Sequence, residues 1–170
     1  MPCRLTASFR SPCIAVFVGL AAFGAASTRA IADDCQPILA AMATTLKAPA
    51  YRQYLTQASS GQERLMTVVV GPTVYMMLGG NGRSQQMPRQ EIQAMAQEAM
   101  RETRFSGCKL LGSETIGGTG TKVYGYSYTT KDGDAGQSKV WIDSGSLLRK
   151  QATQDGWLRY EYENVQAPQQ

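Results

Sequence analysis

Histidine is absent from this chain of 170 residues. With it go the commonest general base, the commonest metal ligand and every Ser-His or Cys-His nucleophile pair. Zinc sites built from three histidines, two histidines and a carboxylate, or two cysteines and two histidines are excluded as well. Charge is sparse, at 18% of residues. There is no basic stripe of the kind nucleic acid selects, and no polybasic cluster for anionic lipid. No S-x-x-K serine nucleophile stands in a persuasive context. The glycine cluster Gly79-Gly80-Asn81-Gly82 lacks the Lys-Ser/Thr of a phosphate loop and the strand-to-helix spacing of a dinucleotide fingerprint, so it reads as a loop. The carboxylate pairs Asp132/Asp134 and Glu161/Glu163 fall in a turn and on a solvated strand face. No catalytic residue, metal or cofactor is therefore expected, and the chain reads as a non-enzymatic protein.

Long apolar runs are also scarce. The run Ile14 to Ala26 follows a positive segment containing Arg4 and Arg10, and Ala30-Ile31-Ala32 precedes Asp33. This is the three-part layout of a secretory signal peptide. The run is too short to span a bilayer, which takes about 20 apolar residues. Residues 1–32 are thus expected to be removed and 33–170 to form one exported domain, with no integral membrane segment. The leader carries three arginines and no acid, so the remainder holds 14 Lys/Arg against 13 Asp/Glu. The overall basicity belongs to the leader.

Of four cysteines, Cys3 and Cys13 leave with the leader. Cys35 and Cys108 remain, an even pair in an oxidising compartment. Without histidine they make no metal site, and they are too far apart for a C-x-x-C redox motif. A structural disulfide is the expected outcome. Closing a loop of that length is worth up to about 4 kcal/mol on a chain-entropy account.

The rest of the chain reads as helix, strands, helix, strands. Asp34 suits an N-cap, Pro37 suits a first turn, and Ile38, Leu39, Met42 and Leu46 recur at helical spacing through Lys47, before Pro49 stops the helix. Strands are expected at 52–57, 65–70 and 74–78, the last two as a hairpin turning at Gly71-Pro72. A second helix is expected from Pro88 to Arg104, with Ile92, Met95, Ala96, Ala99 and Met100 as its apolar stripe. Ser106-Gly107 would end it. An antiparallel meander should follow, with strands at 109–114, 122–130, 138–143, 147–152 and 157–164. Tyr124, Tyr126 and Tyr128 alternate onto one face of it. No β-α alternation is present to build a parallel sheet.

The pattern Lys139 to Asp143, Gly145, Leu148 to Gln151, Gly156, Tyr160, Tyr162 and Asn164 resembles the strand pattern of the periplasmic lipoprotein-carrier-like (LolA/LolB/LppX-like) superfamily. That resemblance implies a helix first, then antiparallel strands curled into a half-barrel, with helices lidding an apolar concave side. The expected fold is therefore α+β, a curved antiparallel sheet of about seven or eight strands with two helices on its concave face.

An apolar ligand cavity between helices and sheet would draw on Val68, Val70, Met76, Leu78, Ile92, Met95, Tyr126, Tyr128 and Ile142, chosen as the apolar sides of their elements. The same tyrosines are routine core residues in strands. Copper(I) suits thioethers, but Met66, Met76, Met77, Met95 and Met100 are spread over several elements. Trp141 and Trp157 alternate onto the opposite, convex face, where exposure would mark a partner surface. Two readings follow. One is an exported periplasmic carrier holding a lipid or other apolar small molecule. The other is a cell-envelope interaction protein with a filled core that docks onto a protein partner.

Overall fold

The computed structural model describes residues 35–78 and 83–168. The leader expected at 1–32 lies outside the described residues. Helix α1 (Gln36–Lys47) leads into strands β1 (Ala50–Gln57), β2 (Glu63–Val70), β3 (Thr73–Leu78) and β4 (Arg83–Pro88). Helix α2 (Arg89–Glu102) follows, then β5 (Arg104–Ile116), β6 (Thr119–Thr129), β7 (Ala135–Asp143), β8 (Leu148–Thr153) and β9 (Gly156–Glu161). The nine strands make one antiparallel sheet in the order β4-β3-β2-β1-β9-β8-β7-β6-β5. Two meanders are joined where β9 returns to pair with β1, through contacts such as Gln53 opposite Tyr160.

This order forces curvature. β4 and β5 are the two outer edges, yet α2 alone connects them, with Thr103 its one linking residue. Nine flat strands spaced ~4.8 Å apart would set those edges roughly 38 Å apart. A helix of 14 residues reaches only about 21 Å. The sheet therefore curls, and α2 runs over its concave side as a chord. α1 lies against β7 and β8, whereas α2 lies against β3 and β4. The helices thus take opposite halves of the concave face.

The main core sits under α1. Ile38 and Ala41 are fully buried against Tyr51, Val69, Val74, Tyr126, Val140, Ile142, Leu148 and Tyr160. Thr45 locks the helix onto a bulge between β7 and β8. Its hydroxyl accepts the buried amide of Leu148 at 2.9 Å, and the Tyr162 hydroxyl, 3.3 Å away, donates to the Leu148 carbonyl at 2.7 Å. At the other end of α1, Cys35 is bonded to Cys108 in β5, with the Cα atoms 5.1 Å apart.

Several expectations on elements need adjustment. Among the described residues there are nine strands, because polar β4 (RSQQMP) also pairs with β3. An edge strand can face water on its open side and needs no apolar alternation. Pro88 ends that strand and precedes α2; it does not open the helix as its first residue. Ser106-Gly107 lies inside β5, at a register shift, while the helix ends at Glu102. Cys35 occupies the cap position of α1, without a side-chain cap bond.

Candidate functional site

Where α1 leaves the sheet and α2 leans across β3, a gap of about 370 Å³ remains. Met42, Thr45 and Leu46 of α1 and Ile92, Ala96 and Met100 of α2 form its roof and sides. The floor is sheet: Tyr51 and Gln53 from β1, Thr67 from β2, Val74 and Met76 from β3, Leu148 and Gln151 from β8, and Tyr160 from β9. The paired residues Gln53/Tyr160, Gln53/Thr67 and Thr67/Met76 are cross-strand neighbours, so they share one face of the sheet. Residues 92, 96 and 100 recur every four positions, which lines them along one side of α2.

α2 is held at its start. Its first residue, Arg89, spends its guanidinium on four backbone carbonyls: Leu46 at 2.8 Å, Ala48 at 2.6 Å, Pro49 at 3.3 Å and Gly71 at 3.2 Å. Gln93 also donates to the Leu46 carbonyl at 2.6 Å. The bonds to Leu46 and Ala48 satisfy carbonyls at the C-terminal end of α1, which a helix leaves without internal partners, and the one to Gly71 ties in the turn between β2 and β3. No residue of α2 is fully buried. The helix is therefore fixed at one end and rests lightly on the cavity along its length.

The floor carries paired polar groups. The Gln53 amide donates to the Tyr160 hydroxyl at 3.1 Å, and the Gln151 amide donates to the Tyr126 hydroxyl at 3.2 Å. Tyr51 sits 6.2 Å and 6.1 Å from the rings of Tyr160 and Tyr162. Burial raises the pKa of Tyr51, Tyr126, Tyr160 and Tyr162 above the ordinary phenol value, because the phenolate is the form that loses solvation. These hydroxyls are neutral at physiological pH.

The nine residues expected around a cavity separate into groups. Met76 and Ile92 lie on its wall. Tyr126, Tyr128 and Ile142 share the concave face but belong to the core around β5–β7, where Tyr126 packs against Phe105 and Tyr128. Met95 is 64% exposed on the outer side of α2. Val68 and Val70 are a correction: they face the convex side, and the inward residue is Val69. Three consecutive valines offer no polar alternation, so the side could not be read from them. The side chain of Leu78 lies outside the described residues. Gln53, Thr67 and Gln151 were not anticipated, since polar residues in strands normally signal the solvent side.

The convex face also differs from expectation. Trp141 lies there but is only 6% exposed. Its indole donates to Glu114 at 2.7 Å, and the Lys150 ammonium lies 4.7 Å above its ring and 5.3 Å from that of Trp157. Beside them Arg159 stacks on Tyr54 and pairs with Glu63 and Glu161. These aromatics are covered by cations and offer no bare apolar patch. Three other depressions are open and bordered by charge: Arg149, Arg159, Glu161 and Glu163 in one, Lys109 and Lys139 in the second, and Glu114, Lys122 and Asp143 in the third. The gap under the two helices differs from them in carrying no charged side chain.

The fold is thus an open, curled antiparallel sheet with two helices on its concave side, of the α+β class. Solved structures similar to it in fold include LppX and LprF. Lipoprotein LppX from Mycobacterium tuberculosis is 12% identical and aligns over 79% of this chain and 98% of its own, with a TM-score of 0.49. LprF from Mycobacterium bovis is 12% identical and aligns over 82% of this chain and 95% of its own, with a TM-score of 0.44. No family model matches the chain, and no curated protein matches it in sequence. The likeness is one of fold, and the functional reading rests on this chain's own geometry.

Proposed function

We propose that the chain is an exported, non-enzymatic carrier that holds an apolar small molecule, or one acyl chain of a lipid, between its two helices and the concave sheet. The observation that carries this reading is the uncharged gap of about 370 Å³ under α2. Small-molecule sites run from about 300 to 1,000 Å³ and are mostly apolar with a few placed polar groups. The lining methionines Met42, Met76 and Met100 suit a ligand of variable shape, since an unbranched thioether side chain repacks easily. The light seating of α2 supplies a way in: a helix with no buried residue separates from its sheet at low cost. Export to the periplasm is supported by the leader pattern and by the disulfide, which persists in oxidising compartments. No helix among the described residues is long and apolar enough to cross a membrane.

Native mass spectrometry of the gently extracted protein should show adducts of lipid mass. The neutral dye N-phenyl-1-naphthylamine should brighten on binding at one site per chain. A protein that carries no adduct and leaves the dye dark has a closed interior, and the reading as an envelope interaction protein then replaces this one.

A further inference from the structure

The cavity wall has no aspartate, glutamate, lysine or arginine. Arg89, which bonds the carbonyl of the wall residue Leu46, is already occupied. Both of its terminal nitrogens donate to backbone carbonyls, so an incoming carboxylate finds no free fork to grip. An ionised group buried without a partner is strongly disfavoured. The part of a ligand that enters must be uncharged.

The floor is nevertheless not inert. Tyr160 is a buried residue, 8% exposed, on the cavity floor. Its hydroxyl oxygen accepts the Gln53 amide, and among the described residues its own proton has no acceptor. Its neighbour Tyr162 spends that proton on the Leu148 carbonyl. If the Gln53 amide is turned over, the phenol proton goes to the amide oxygen and the amide N–H₂ is released instead. In both arrangements the pair keeps a spare donor, which calls for an acceptor. We propose, on the carrier reading, that the cavity selects an uncharged acyl derivative over the free fatty acid, and that the Tyr160–Gln53 pair recognises its carbonyl oxygen. An ester carbonyl meets both conditions: it accepts a hydrogen bond without bringing charge into the site.

The test displaces N-phenyl-1-naphthylamine from the intact protein at pH 8 with methyl laurate, laurate and dodecane, which share a chain and differ at its end. Methyl laurate should compete about tenfold more tightly than laurate, a difference of about 1.4 kcal/mol. The double variant Tyr160→Phe/Gln53→Met removes both donors. It should weaken methyl laurate about threefold to tenfold, the range of one neutral hydrogen bond, and leave dodecane unchanged. A measurement on the unmodified protein covers the case of a variant that does not fold. The infrared carbonyl stretch of bound, carbonyl-labelled methyl laurate should fall below its frequency in hexane. Laurate binding as tightly as the ester overturns the selection. An unshifted carbonyl, or a folded double variant with full ester affinity, overturns the role of the pair. If the dye and all three competitors fail to bind, the carrier reading itself falls.

Discussion

A few side chains carry disproportionate weight, and each makes a checkable difference. Thr45 accepts a buried amide while Thr44, one position earlier, only bonds back to its own helix at Ala40. Thr45→Val leaves the Leu148 N–H without a partner and should cost about 1–3 kcal/mol in urea unfolding, whereas Thr44→Val should be near neutral. Arg89 holds four carbonyls at once. Arg89→Lys keeps the charge but loses the planar fork, and a destabilisation of about 2 kcal/mol is expected from charged hydrogen bonds of this kind. The buried tyrosines set an alkaline limit. Burial raises the folded pKa of Tyr51, Tyr126, Tyr160 and Tyr162 above the unfolded value of 10.0. The unfolded chain therefore loses those protons first. Stability from these groups is complete below pH 10 and declines as pH rises beyond it. Ultraviolet titration should show these phenols ionising only together with unfolding; smooth early titration of all the tyrosines would contradict their burial.

Between elements, two junctions make a checkable difference: that of α2 with its cavity and that of β9 with β1. Ala96 sits on the cavity side of α2. Ala96→Trp should fill the gap and abolish dye binding while the protein still melts cooperatively; in a filled interior the same change only overpacks, costing about 1–3 kcal/mol. Dye binding and melting temperature measured together separate the cases. Gly156 opens β9 at φ +153°, and a Cβ there would stand 2.2 Å from the Thr56 carbonyl oxygen of β1. Backbone cannot retreat as a side-chain tip would. Gly156→Ala should therefore force β9 away from β1 and lower stability by at least about 2 kcal/mol, a size reserved for a few named mechanisms of which backbone strain is one.

For the molecule as a whole, the topology concentrates risk at one place. Among the described strands, the two meanders pair only through β1 and β9, and α2 is the chain connection between the outer edges. The bond between Cys35 and Cys108 adds a second tie, from the start of α1 to the edge strand β5. Reducing it, or replacing both cysteines with serine, should cost about 2–5 kcal/mol. Loss of α1 docking would widen the cavity, so dye affinity should fall before the sheet's far-ultraviolet circular dichroism does.

Much of this was legible in the residues. The cysteine pair, the tyrosine alternation of β6 and the proline-bounded α1 all depend on chemistry or periodicity local to the chain, and so did the succession of helix, strands, helix, strands. Three things depended on neighbours distant in sequence. β4 is polar and becomes a strand only because β3 offers it an edge. Val69 points inward and Val68 outward because register is set by pairing with β1 and β3, not by composition. Gln53 and Gln151 sit half-buried on the floor because hydrogen bonds from β1 to β9 and from β8 to β6 offset part of the cost of taking them from water. Local sequence determined both helices and every strand but β4; the long-range pairing of β1 with β9 decided which side chains meet beneath α2, because a strand's face has no meaning until its partner is in place.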